Sequence, residues 1–348
     1  MNRFFGLFLI SLLVITSSVS YSQKQEILGA GATFPYPLYS KLFDEYNKKT
    51  GNKVNYQSIG SGGGIKQLTS KTVDFGASDA FMDDKELSTA GGDILHIPTA
   101  MGAVVVTYNI PSVKQSLNMN AELIAKIFLG EIKMWNDKAV KSLNPKVNLP
   151  NLPIIAVGRS DGSGTTFIFT DFLTKANPQW EKAKGKGKSV QWVSGVLAAK
   201  GNEGVSGMVK QTPGSIGYVE LEYAMKNKMS IANIQNKAGK FIVPSIATVT
   251  KAANVKMPND TRVTLTNTDA PDGYPIASFT WILIYKEQNY SNKTSEKAKA
   301  VLELIKWVVN DGQVYHNALN YAPIPKSVQT TAMTILKSAT FGGKAILK

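Results

Sequence analysis

Gly158-Arg159-Ser160-Asp161-Gly162-Ser163-Gly164-Thr165-Thr166 is the stretch on which the reading of this chain turns. The apolar run before it, Ile154 to Val157, predicts a buried strand. Thr166-Phe167-Ile168-Phe169-Thr170-Asp171-Phe172-Leu173 after it predicts a helix. A glycine-rich turn between strand and helix leaves backbone N–H groups free in the first helical turn, where the helix dipole is positive. Arg159 adds a planar fork of donors suited to an oxyanion, and Ser163, Thr165 and Thr166 add hydroxyls. Alone, the stretch is open to two readings: an anion site, or a solvated turn with an ordinary helix cap.

Working outward, two more turns share the design. Ile27 to Ala32 predicts a strand that runs into Thr33-Phe34, with Pro35 and Pro37 suited to the first turn of a helix. Leu38, Leu42 and Tyr46 share one face of that helix, and Gly51 ends it. Lys53 to Ile59 predicts a strand, followed by Gly60-Ser61-Gly62-Gly63-Gly64 and a helix beginning at Ile65. Val73 to Asp79 predicts a further strand with a carboxylate at its end, and Met82 to Ala90 a helix. Ile97 to Tyr108 is the most strand-like stretch. Asn120 suits the cap of a helix over 121–129. Gln191 to Gly214 is a Gly-rich loop and helix, Ser215 to Val219 a strand, and Lys237 to Asp272 mixed. Phe279 to Tyr285 alternates as a strand, Ser295 to Asn310 is an amphipathic helix, and a short helix ends the chain.

Strands alternating with helices predict an α/β fold with largely parallel pairing. The 348 residues suit about two domains. With no Pro- or Ser-rich linker, two lobes joined by short crossings are expected: residues 23–107 with 279–348, and residues 108–278. Residues 1–22 carry Arg3, then an apolar run from Phe4 to Ile15, then small residues at Ser20 and Ser22. These predict a secretory signal peptide cut near Ser22–Gln23. The mature chain has no long uninterrupted apolar run, so it is expected to be soluble outside the cytoplasm.

Composition excludes several chemistries. There is no Cys, which removes disulfides, thiolate catalysis, Cys-ligated zinc and a lipid anchor on a Cys after the leader. Neither His has a metal-ligand spacing with a second His. No metal or cofactor is expected. A phosphatase or serine hydrolase would need an activated nucleophile, and Ser61 and Ser163 sit in no G-x-S-x-G turn. The P-loop and dinucleotide patterns are incomplete at Gly187-Lys188-Ser189 and Gly29-Ala30-Gly31. The net charge is +14, or +13 without residues 1–22. Its one local cluster, Lys182, Lys184, Lys186 and Lys188, is interleaved with Gly and reads as a solvated loop, so no nucleic-acid partner is expected.

Ligands of open α/β sheets sit beyond the carboxyl ends of strands. Three turns converging there would give N–H groups, hydroxyls and one guanidinium to a tetrahedral oxyanion. Asp79 beside such an anion repels it unless the anion carries a proton to donate, which favours phosphate over sulfate or molybdate.

Five segments carry a resemblance: Gly29 to Pro35, Tyr56 to Gly64, Val73 to Ala80, Arg159 to Thr165 and Gly214 to Val219. In order and spacing, over almost the whole mature chain, they resemble the phosphate-binding proteins of phosphate ABC transporters. The resemblance implies a type II periplasmic-binding-protein fold, with mixed sheets and helices on both faces, that closes by a hinge on one inorganic phosphate. It implies that Thr33, Phe34, Ser61 and Asp79 bind from one lobe and Arg159, Ser163, Gly164 and Thr165 from the other. It also implies that Asp161 pairs with Arg159. Membrane permease subunits would be the partner, a periplasm the location, and a monomer the working form. The Lys182–Lys188 loop is more basic than the family leads one to expect.

Overall fold

The computed structural model describes residues 24–348. The expected leader and its cleavage point lie outside the described residues. The N-terminal third forms β1 (Glu26–Gly31), α1 (Tyr36–Thr50), β2 (Lys53–Ser58), α2 (Ser61–Thr69), β3 (Phe75–Ser78), α3 (Asp84–Ser88) and β4 (Ile94–Tyr108). The middle forms β5 (Asn118–Met119), α4 (Ala121–Phe128), α5 (Lys138–Leu143), β6 (Ile155–Arg159), α6 (Gly164–Ala176), α7 (Pro178–Ala183), β7 (Leu197–Ala199) and α8 (Gly201–Gln211). β8 (Ser215–Glu220), α9 (Leu221–Lys226), β9 (Ser230–Ile231), β10 (Asn233–Gln235), β11 (Phe241–Ile242), α10 (Ile246–Ala252) and β12 (Leu265–Thr266) follow. β13 (Ile276–Tyr285), α11 (Ser295–Val309), α12 (Lys326–Lys337) and the hairpin β14 (Thr340–Phe341) and β15 (Lys344–Ala345) close the chain.

The main sheet runs β2-β1-β3-β13-β4-β8-β6-β7. Parallel pairing is confined to its flanks, β2-β1-β3 on one side and β8-β6-β7 on the other. Between them, β13 is antiparallel to both β3 and β4, and β4 is antiparallel to β8. The class is therefore α/β with a mixed sheet. The 15-residue β4 changes partner along its length: residues 94–103 pair with β13 and residues 104–108 with β8, and Thr107 and Tyr108 also pair with β9. Every residue of β8 and β13 is buried, so both sheet faces are covered there.

The elements form for local reasons. α1 has Pro37 in its first turn and stops at Gly51, which takes the left-handed conformation. Asn120 caps α4 by accepting from Leu123 N–H, and Ser163 caps α6 by accepting from Thr166 N–H. Two predicted boundaries move. The second helix starts at Ser61, so three glycines fall inside its first turns. A Cβ on Gly64 would lie 2.4 Å from Gly31 Cα, and bare backbone is what lets α2 press onto β1. The helix expected over 82–90 is only Asp84–Ser88, started by a capping box between Asp83 and Glu86.

Candidate functional site

The ends of β1, β3 and β6 and the starts of α2, α6 and α8 meet at one buried point. Thr33, Ser61, Asp79, Arg159, Ser163 and Thr165 are each no more than 5% exposed. The side chains fall into two linked groups. In the first, Thr33 Oγ1 accepts from Arg159 Nη2 (3.3 Å), Asn202 N (3.2 Å) and Asn202 Nδ2 (2.8 Å). Asn202 Nδ2 also donates to Thr165 Oγ1 at 3.1 Å. In the second, Ser61 Oγ accepts from Asp79 N (3.2 Å) and Gly164 N (3.1 Å) and donates a long hydrogen bond to Asp79 Oδ2 (3.5 Å). The Gly164–Thr165 peptide joins the two groups.

This arrangement aims protons. A hydroxyl has two acceptor lone pairs and one proton. At Thr33 and Ser61 the lone pairs are taken by N–H donors, which leaves each O–H to donate. Ser163 Oγ accepts from Thr166 N–H alone, so it keeps one lone pair as well as its proton, while its own N–H donates to Lys188 O at 2.7 Å. Arg159 Nη1 is buried without a protein partner. Phe34 N–H and Thr165 N–H donate to no protein atom among the described residues. Phe34 itself is fixed from behind: Tyr321 OH donates to its carbonyl at 2.6 Å, and the two rings meet edge to face.

Arg159 is held in place by Asp161, with Nε to Oδ1 at 2.8 Å and Nη2 to Oδ2 at 2.6 Å. This two-point grip fixes the plane of the guanidinium. Burial works to raise the Asp161 carboxyl, but the Arg159 hydrogen bond and charge outweigh it and hold it below the ordinary carboxylate range. Asp161 also accepts from Gly201 N–H at 3.0 Å. Asp79 behaves oppositely. Burial pushes its carboxyl up from 3.8 to about 7, against the opposing pull of the Thr280 hydrogen bond, the Arg159 charge and Ser61. The site thus has many donors and one carboxylate oxygen, Asp79 Oδ2, as its principal acceptor.

A family model described as "PBP superfamily domain" matches residues 17–311. The phosphate-binding protein PstS of Xylella fastidiosa (strain Temecula1 / ATCC 700964) is 44% identical over 315 residues, covering 89% of this chain and 85% of the relative. The phosphate-binding protein PstS of Pasteurella multocida (strain Pm70) is 43% identical over 324 residues, 92% of either chain. The chain belongs to the PstS family of phosphate-binding proteins. A solved structure of a high affinity periplasmic phosphate-binding protein bound with phosphate matches this PstS-family fold with a TM-score of 0.71. The match covers 89% of this chain and 93% of that one at 21% identity, a likeness of fold.

Several residues of this buried cluster in the PstS-family chain escaped the sequence reading. Asn202 is fully buried, bridges Thr33 to Thr165 and accepts from Glu220 N–H at 2.8 Å. Its signal was present: Gly201-Asn202 follows β7 and opens α8, a fourth turn of the same strand–Gly–helix type. Thr280, Tyr223 and Glu220 carried none. Tyr223 OH donates to Thr33 O at 2.7 Å. Glu220 is buried, which raises its carboxyl well above the ordinary range. The lysine loop is also not simply solvated. Lys186 Nζ pairs with the buried Asp171 at 2.8 Å, and Lys188 Nζ with Glu86 of α3 at 2.6 Å. Charge that looks surplus in sequence is spent on distant carboxylates. Neither His bonds to these side chains: His96 Nε2 accepts from Met82 N–H, and His316 lies between the carbonyls of Gly312 and Thr99.

Proposed function

We propose that the chain binds inorganic phosphate and delivers it to the permease subunits of an ABC transporter. The observation that carries this reading is the pairing of an Arg159-centred donor set with the single acceptor Asp79 at one buried point. Phosphate at neutral pH still carries a proton, which Asp79 Oδ2 accepts. Its remaining oxygens take the hydroxyls of Thr33, Ser61, Ser163 and Thr165, the N–H groups of Phe34 and Thr165, and the free Nη1 of Arg159, while the Gly164 N–H serves by fixing Ser61 Oγ. Asp161 keeps the guanidinium in place and reduces the site's positive charge. Sulfate has no proton for Asp79, so like charges face each other and binding weakens.

Residues 23–107 with 279–348 form one lobe in this reading, and residues 108–278 the other, joined where β4 and β13 cross. The bonds from Arg159 to Thr33 and from Gly164 to Ser61 then run between lobes, and phosphate favours the closed arrangement because both lobes hold it. One chain supplies both sides of the site, so the protein works as a monomer. Residues 1–22 direct export and are removed near Ser22, leaving the mature chain in a periplasm. No helix among the described residues is long and apolar enough to cross a membrane. The protein acts as a carrier and not as an enzyme, in line with the binding proteins it is related to.

The test is a calorimetric competition of phosphate, arsenate and sulfate for the purified mature chain. Phosphate and arsenate bind; sulfate at the same concentration does not displace them. Equal affinity for sulfate and phosphate would refute the assignment.

A further inference from the structure

Asp79 has two carboxylate oxygens, and the site uses only one. The other, Oδ1, accepts from Thr280 Oγ1 at 2.8 Å. Thr280 is fully buried on β13, roughly 200 residues further along the chain. It faces Asp79 because of how β13 lies between its neighbours. Trp281 pairs with Ser78 on β3, which sets Thr280 opposite Asp79 at the first position beyond that ladder. On its other edge β13 shifts register against β4: Thr280 pairs with Ala100, but Trp281 pairs with Pro98. Thr99 is the extra residue, and such a bulge re-aims the side chains next to it.

The bulge is held from several directions. Thr99 Oγ1 donates to Thr280 O at 3.2 Å and shares a hydrogen bond with Tyr39 OH at 2.7 Å. Thr99 O accepts from Gln313 Nε2 at 2.9 Å and lies 3.0 Å from His316 Nε2. A feature anchored by α1 and by the 3-10 turn Asp311–Tyr315 is not slack in the sheet.

We infer that Thr280 is a positioning residue that sets the anion specificity of the site. It occupies Asp79 Oδ1 so that Oδ2 alone is presented, as an ionised acceptor, to an oxyanion carrying a proton. The inference rests on the phosphate reading given above. A hydroxyl beside an ionised carboxylate can only donate, so this bond favours the charged form that accepts a proton. Without it, burial shifts Asp79 further toward its protonated form, and a protonated carboxyl donates. The site would then tolerate a fully deprotonated anion such as sulfate and lose its preference for phosphate. The other groups that face Asp79 do not substitute for Thr280. Arg159 of β6 acts by charge alone, and Ser61 at the start of α2 lies 3.5 Å from the oxygen that meets the anion. Tyr39 of α1, Tyr56 of β2 and Glu220 of β8 are each raised by burial and add no charge near neutrality.

The experiment compares Thr280→Val, which keeps the shape and loses the hydroxyl, with Thr280→Ser, which keeps the hydroxyl. Calorimetric titration with phosphate and with sulfate between pH 6 and 9 gives the affinity ratio. In the Val variant the ratio falls by about 10- to 100-fold, the size of one hydrogen bond to a charged group. The loss shrinks as pH rises and Asp79 ionises unaided. The Ser variant keeps the ratio. Equal losses in both variants, or an unchanged ratio in Val, would overturn the inference. Carboxyl NMR titration of Asp79 in ligand-free protein reads the same contact without any anion. Its midpoint rises in Val and stays in Ser; an unmoved midpoint in Val overturns the inference even if phosphate binds. If the unaltered protein prefers sulfate while the Val midpoint rises, it is the phosphate reading that fails.

Discussion

Replacing Gly164 by Ala tests whether the site depends on the approach of α6 to Ser61 and Asp79. A Cβ at residue 164 would lie 2.5 Å from Ser61 Oγ, 2.6 Å from Asp79 Oδ2 and 2.7 Å from Asp79 Cβ. Relief requires the start of α6 to withdraw by about 1 Å, to ordinary van der Waals separation. The Gly164 N to Ser61 Oγ bond, now 3.1 Å, would stretch beyond hydrogen-bond range, and Arg159 Nη2 to Thr33 Oγ1, now 3.3 Å, would follow. The Gly62 N to Gly162 O bond of 2.8 Å is at risk in the same movement. Two neutral bonds at about 1 kcal/mol each and one charged bond at about 1.5–3 kcal/mol give a loss of about 3–5 kcal/mol in the binding-competent form. That corresponds to phosphate affinity reduced about 10²- to 10⁴-fold. The substitution should not harm the fold, because Ala favours a helix more than Gly does. Calorimetry with phosphate and thermal melting without it separate the two effects. Phosphate affinity within about threefold of the unaltered protein would refute the close-approach argument.

Other expectations follow from the same geometry. Asp161→Asn leaves the buried Arg159 guanidinium without its counter-charge, so ligand-free stability falls by about 3 kcal/mol. Saturating phosphate restores part of it, and melting curves with and without phosphate that drop equally would contradict this. Lys188→Ala removes a partly exposed pair with Glu86, worth at most about 1 kcal/mol, so phosphate affinity falls by no more than about fivefold. High salt should erase that difference. The Asp79 carboxyl sits at about 7 in the folded protein against 3.8 when exposed. Between those values the folded chain holds a proton that the unfolded chain has released. This group's contribution to ligand-free stability therefore falls as pH rises from about 4 to about 7. Denaturant titrations of the unaltered protein and Asp79→Asn across that range measure it; parallel pH profiles would count against a buried, raised Asp79.

The α/β class and the strand–Gly–helix turns were legible because their signals are local. An apolar run, a Gly-rich turn and a capping hydroxyl such as Ser163 occupy adjacent positions. The short helices α5, α7 and α9, of six residues each, are too brief to establish a 3.6-residue period. Thr280 was illegible for a different reason. It sits at the start of a run that alternates correctly as a strand, and nothing in that run reports a bulge created by a residue of another strand. Lys186 and Lys188 misled in the opposite direction, because their carboxylate partners are Asp171 and Glu86, which no charge count along the sequence connects to them. Sequence patterning conveys what a segment becomes; pairing across long separations belongs to the tertiary fold.

The insertion of β13 between β3 and β4 bears on the order in which this protein can fold. β3 and β13 are neighbours in space, yet they are separated by roughly 200 residues of chain. Until β13 emerges, β3 presents an open edge and β4 lacks its principal partner, a combination prone to wrong pairing. Contacts of such long range slow folding, because a large loop must close before they form. Asp79 lies at that open edge and gains Thr280 only when β13 docks. The cluster around Asp79 is therefore among the last parts of the molecule to mature, and a nascent or truncated chain lacking its final 75 or so residues would hold most of the proposed site's residues without the geometry to use them.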